Sequence, residues 1–134
     1  MKTYFADTFY FLALLNGRDP HHSRVTDFNT SQRVRLVTSM WVLTEVADAM
    51  ADPPNRPLFL RLFERLQASP WVTIVPFSDE VFAAELRLYQ ERADKDWPLT
   101  DCISFAVMRR EGILEALTGD RHFEQAGFAA MLKT

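Results

Sequence analysis

Cysteine is nearly absent: Cys102 is the only one in 134 residues. No internal disulfide can brace the chain, so its stability must come from packing, and a reducing cytoplasm suits it. Cys102 lies in an apolar stretch with no catalytic dyad in view, which predicts a buried structural thiol rather than a nucleophile. Glycine is also scarce, with 4 residues in all. The first predicted turn, ADTFY, contains none, which excludes the glycine-rich phosphate turn of a dinucleotide-binding domain. No apolar run approaches the length of a membrane span. FYFLALL, after Lys2, faintly imitates a secretory leader, but Asp7 precedes it and no small-residue cleavage site follows, so it reads as folded structure. Excess basic charge is lacking too: 15 Lys and Arg face 18 Asp and Glu, a net charge of −3. That balance argues against a nucleic-acid partner, unless acids converge on divalent cations that reverse the local sign. No repeat, low-complexity tract or internal linker divides the chain, so residues 1–134 are expected to form a single domain.

What is present is core-forming material. Hydrophobic residues make up 48% of the chain and include 11 phenylalanines, enough to build a core and to argue against disorder. TYFAD (3–7) predicts a strand, and TFYFLALLN a helix that stops near Asn16 and Gly17. Within the polar stretch 18–34, Val25 and Phe28 are spaced for one face of a solvent-facing helix. RLVTS (35–39) predicts a second strand. In the helix MWVLTEVADAM, the pattern predicts Val42, Val46 and Ala49 on one side and Trp41, Glu45 and Asp48 on another. ADPPNRP ends that helix, because proline cannot continue it. LFLRLFERLQ is an amphipathic helix with Leu58, Leu62 and Leu66 in register, and WVTIVP (71–76) is a third strand. Ser78 can cap the next helix, whose first turn carries Asp79 and Glu80. LTDCISFAVMRRE is helical and stops at Gly112. ILEALT (113–118) is a fourth strand, and a short fifth is expected near Phe128. Strands alternating with helices imply an α/β fold: a three-layer α/β/α sandwich around a mainly parallel sheet. Ligands of such sheets gather at the carboxyl ends of the strands.

Four carboxylates then draw notice: Asp7 in FADTF, Glu45 in VLTEV, Asp101 in LTDCI and Asp120 in TGDRH. Singly, each has an ordinary explanation: a cap, a solvent-facing charge, a dipole partner, a turn residue. Jointly, Asp7 and Asp120 end apolar strands, while Glu45 and Asp101 occupy early turns of helices. All four can point over one edge of the sheet. Clustered carboxylates repel and need a compensating cation, and an all-oxygen ligand set suits Mg²⁺ or Mn²⁺ rather than zinc. His21 and His22 are adjacent and His122 is remote in sequence, which disfavours zinc further and predicts surface or capping roles for all three.

In the order FADTFYFLALL, TSMWVLTEVAD, KDWPLTDCISFAVM and EALTGDRHFEQAGF, the chain resembles the PIN-domain family, including its bacterial toxin-type ribonucleases. The resemblance spans essentially the whole chain. It implies a metal-dependent nuclease site with Asp7, Glu45 and Asp101 as the main Mg²⁺ or Mn²⁺ ligands and Asp120 completing the pocket. Thr8 and Thr118 match small hydroxyl positions that steady the acids. Asp48 and Asp96 are rival carboxylates that fit less well, Asp96 being expected to cap the helix of Asp101. Gly119 is expected to give the chain room to turn beside the site.

The chemistry implied is hydrolysis of RNA phosphodiester bonds by a metal-activated water, with a second ion about 3.5–4 Å away if two are bound. Arg121, Arg109 and Lys95 are candidates for holding a substrate phosphate, beside the alternative of ordinary solvated charge. RNA as substrate, a small antitoxin as partner and a homodimer all follow from the resemblance alone. Phe9, Tyr10 and Trp41 are candidates for an antitoxin groove or, alternatively, core residues. The rival reading is a catalytically silent scaffold that acts by binding a protein. A haloacid-dehalogenase-type phosphatase is disfavoured, because its second aspartate falls on Phe9.

Overall fold

The computed structural model describes residues 1–133. The chain runs β1 (Lys2–Ala6), α1 (Thr8–Leu15), α2 (His22–Ser31), β2 (Val34–Ser39), α3 (Met40–Ala49), α4 (Arg56–Ala68), β3 (Val72–Val75), α5 (Asp79–Glu91), α6 (Leu99–Glu111), β4 (Glu115–Leu117), α7 (Arg121–Gln125) and β5 (Ala129–Ala130). The five strands form one sheet in the order β3-β2-β1-β4-β5. Every pairing is parallel, with Phe5 opposite Val37 on one side of β1 and Ala6 opposite Leu117 on the other.

Local chemistry accounts for the boundaries. Ser39 and Ser78 cap α3 and α5, each side chain accepting from the backbone N–H three residues on, which satisfies a donor the helix leaves unpaired. Gly112 ends α6 in the left-handed region at φ 69°. There the Ile113 N–H reaches the Met108 carbonyl at 2.8 Å, a closure that glycine allows at no Cβ cost. α1 stops at Asn16 and α3 at Met50.

Tyr4, Phe5 and Ala6 are buried in succession along β1. Side chains alternate between the faces of a strand, so both faces of the sheet must be covered there. Helices flank the sheet, giving the expected α/β/α layering. Phe5, Phe11, Phe105 and Phe123 are completely enclosed, each stabilising the fold by about 1.5–3 kcal/mol relative to exposure. Phe105 meets Trp97 and Phe123 edge-on at 5.1 and 5.0 Å, a geometry aromatic quadrupoles favour.

Two local expectations change. Leu43 and Met50, not Ala49, complete the buried side of α3 with Val42 and Val46, because Ala49 turns to solvent. β4 is three residues long, shorter than its apolar run, since pairing with β1 and β5 begins only at Glu115. Cys102 is buried as expected. Burial first, then the nearby Asp101 and Glu85 carboxylates, pushes its thiol up to about 11, so it stays protonated.

Candidate active site

In the strand order β3-β2-β1-β4-β5 the direction of winding reverses between β1 and β4. In open parallel sheets, such a switch point at the carboxyl edge is where ligands gather. Asp7 follows β1 directly, and the Thr118-Gly119-Asp120 turn follows β4. β2 delivers the third acid, because Ser39 starts α3 and carries Glu45 in its second turn. Asp101 arrives on the first turn of α6.

Asp7 occupies the N-cap position of α1, yet its side chain makes no capping bond. It turns instead toward β4, where the Thr118 hydroxyl donates to Asp7 Oδ2 at 2.8 Å. The same Thr118 oxygen accepts from the Asp120 N–H at 3.1 Å, so one buried hydroxyl fixes both the acid after β1 and the turn after β4. The Thr8 hydroxyl donates to Glu45 Oε1, and the Thr38 hydroxyl ties β2 to the Ala6 carbonyl at 2.8 Å. Both threonines beside the acids, Thr8 and Thr118, therefore orient a carboxylate.

The carboxylates feel one another. Burial first, then Asp101 and more weakly Glu45, pushes Asp7 up to about 7, against the pull of the Thr118 hydroxyl and the Thr8 N–H. Asp101 rises to about 6, again chiefly through burial; Asp120 and Glu45 add to the rise while His122 opposes it. Asp7 and Asp101 are 5% and 6% exposed, so each loses much of its hydration without gaining a full counter-charge. Hard oxygen donors gathered this way fit a divalent cation.

His122 was not expected among these acids. Its Nδ1 lies 3.0 Å from Asp101 Oδ2 and 3.3 Å from Asp120 Oδ1, while Nε2 faces Asp96 Oδ1 at 3.4 Å. One ligand atom from each of Asp101, Asp120 and His122 lies within 4.8 Å of the others. The available signal was the two-residue step in DRH: Asp120 accepts from the His122 N–H at 2.9 Å as α7 begins, bringing the ring back over its own cap. Asp96 does not cap α6, whose N-cap is Pro98. It faces His122 and Arg121 across the rim of the cluster. His21 and His22 serve elsewhere, against the Phe9 ring and on the Ala13 carbonyl.

The cationic candidates separate. Arg121 is on the rim, 72% exposed and 3.6 Å from Asp96. Lys95 lies on the turn ahead of α6, next to Asp96. Arg109 is eight residues beyond Asp101 on α6, about 12 Å along the axis at 1.5 Å per residue, and its guanidinium lies over Phe128. It is a packing residue. Gly119 has a different purpose from the one expected: it has no left-handed φ, and a Cβ there would meet the Phe9 ring at 2.6 Å. Tyr10 is buried and bonded to Asn29, and Trp41 packs edge-on against Phe77.

Fold and site together define a parallel α/β/α domain with a cluster of acids at its topological switch point. The sequence matches the PIN domain family over residues 4–129, and the chain belongs to that family. Among solved structures it is similar to VapC20 of Mycobacterium tuberculosis, described as a sarcin–ricin-loop-cleaving toxin, with 25% identity, a TM-score of 0.85 and coverage of 94% of this chain and 96% of that one. FitAcB from Neisseria gonorrhoeae shares 24% identity at a TM-score of 0.63, covering 97% and 95%. VapBC2 from Rickettsia felis, solved with a DNA fragment from its promoter, shares 14% at 0.65, covering 96% of each chain. The last two likenesses are of fold alone. No curated protein matches the sequence significantly.

Proposed function

We propose that the chain is a metal-dependent endoribonuclease, the toxin of a toxin–antitoxin pair, acting in the cytoplasm with Mg²⁺ or Mn²⁺. The observation that supports this reading is the charge coupling of Asp7 to Asp101 and Glu45 and of Asp101 to Asp120, acids from four separate segments, with Asp7 and Asp101 buried. A divalent cation bound there supplies Lewis acidity and makes a water nucleophilic at neutral pH.

The rest of the chemistry belongs to the chain's own side chains. Asp7, Glu45, Asp101 and Asp120 are the ligand set. Thr118 holds Asp7 at one angle and Thr8 does the same for Glu45, so little reorganisation is left to the reaction. A carboxylate of the set accepts the proton of the attacking water. Arg121, beside Asp96 at the rim, and Lys95 are the candidates to meet a phosphate of the substrate. RNA is favoured over DNA because VapC20 is described as cleaving the sarcin–ricin loop.

A small antitoxin and a second copy of the chain are the protein partners expected from membership of the PIN family. Phe9 and Tyr10 are occupied internally, so they do not supply the apolar face. Phe82, Leu86 and Tyr89 remain exposed at successive turns of α5, a stripe that suits a protein contact.

The test is to incubate purified protein with a mixed RNA pool and Mg²⁺ or Mn²⁺, beside EDTA and Asp7→Asn controls. Cleavage that needs the metal and disappears in the variant is the expected result. Cleavage that survives in Asp7→Asn would assign the activity to something else. Intact RNA in every arm would count against a general ribonuclease.

A further inference from the structure

We propose that His122 is itself a metal ligand through Nδ1, making the centre a mixed nitrogen–oxygen site that takes Mn²⁺ in preference to Mg²⁺. This rests on the reading of the acidic cluster as a divalent-cation site and adds to it a donor of a different chemical class. The contact of Nδ1 with Asp101 is a hydrogen bond, and its spacing is also that of two neighbouring ligands on one ion. Donors about 2.1 Å from one ion and at right angles to each other are separated by about 3.0 Å. His122 Nδ1 stands 3.0 Å from Asp101 Oδ2 and 3.3 Å from Asp120 Oδ1.

The other side of the ring supports the assignment. Nε2 faces the Asp96 carboxylate at 3.4 Å. A cation taken up at Nδ1 would displace the proton from that nitrogen and leave the ring protonated at Nε2, facing the Asp96 carboxylate, the carboxylate–histidine–metal arrangement common to metal-bound histidines. The ring is held in that pose from its backbone, since the His122 N–H donates to Asp120 Oδ1 at 2.9 Å. Asp96 is thereby a positioning residue, which explains why an exposed carboxylate is turned toward a ring that is only 15% exposed.

The consequence is selectivity. Carboxylates alone serve Mg²⁺ and Mn²⁺ alike, whereas imidazole favours first-row transition ions over the harder Mg²⁺. Calorimetric titration of wild-type protein and His122→Asn with Mn²⁺ and with Mg²⁺ reads this directly. In the variant, Mn²⁺ affinity should fall about tenfold or more, while Mg²⁺ affinity changes by less than about threefold.

Pulsed EPR on the Mn²⁺-loaded wild type gives a readout that needs neither activity nor a perturbed fold. Nitrogen-14 modulation from a coordinated imidazole should be present and should vanish in His122→Asn. Mn²⁺ binding without that modulation, modulation that persists in the variant, or an equal loss of both metals would overturn the role of His122 while leaving the nuclease reading intact. Failure of the wild type to bind either cation would overturn both.

Discussion

Single residues at the site carry opposing demands. Asp101 is buried, is raised to about 6, and faces other acids, so its charge costs the metal-free protein stability. Asp101→Asn removes that cost and should stabilise the metal-free form by on the order of 1–3 kcal/mol at pH 7. It should also abolish the rise in Tm that Mg²⁺ or Mn²⁺ produces. Thermal melts with and without the cation check both halves, and identical metal-induced shifts in the two proteins would remove Asp101 from the ligand set. Gly119 answers to sterics instead. Gly119→Ala puts a methyl 2.6 Å from the Phe9 ring and should destabilise by about 1–3 kcal/mol through overpacking. Pairing it with Phe9→Leu should recover much of that loss in a double-mutant cycle, and strict additivity would contradict the contact.

At the scale of elements, the packing of α5 against α6 buries an acid with no evident partner. Glu85 is 6% exposed, its Oε2 has no hydrogen-bond partner, and burial raises its pKa despite the nearby Arg109 charge. A raised acid favours the folded state while protonated and penalises it once ionised, so the cost appears as pH rises. Glu85→Gln should therefore raise Tm at pH 8 and change it little at pH 4; the reverse order would mean that the carboxylate is paired. Most elements were legible because their punctuation is chemical: Ser78 as a cap, Asp52-Pro53-Pro54 after α3, Gly112 after α6. β4 was legible as apolar but not in length, since its ends are set by pairing with β1 and β5, which no local pattern encodes. Ala49 was misplaced because small residues carry a weak burial signal, whereas Leu43 and Met50 gain more from the core.

Across the whole molecule, stability and pH are tied through the shared pocket. Asp7 ionises near 3.8 when exposed and at about 7 when folded. Between those values the unfolded chain has lost a proton that the folded chain keeps, so stability falls as pH rises through that window and levels off above it. The metal-free wild type should therefore lose Tm between pH 4 and pH 7 relative to Asp7→Asn, and a saturating divalent cation should flatten the difference; a wild-type Tm that rises relative to the variant over that range would contradict the burial of Asp7. The four acids stood out in the sequence because each ends a strand or lies in an early turn of a helix. His122 was not, because its place depends on α7 folding back over Asp101, and Arg109 looked close only in sequence, two turns along the wrong end of α6. The central claim is that these four carboxylates form one cation pocket. An anomalous difference map from crystals soaked with Mn²⁺ at neutral pH tests it most directly. The account predicts a peak enclosed by Asp7, Asp101 and Asp120, within reach of Glu45; a map with no peak there, or with Mn²⁺ bound only elsewhere, would contradict it.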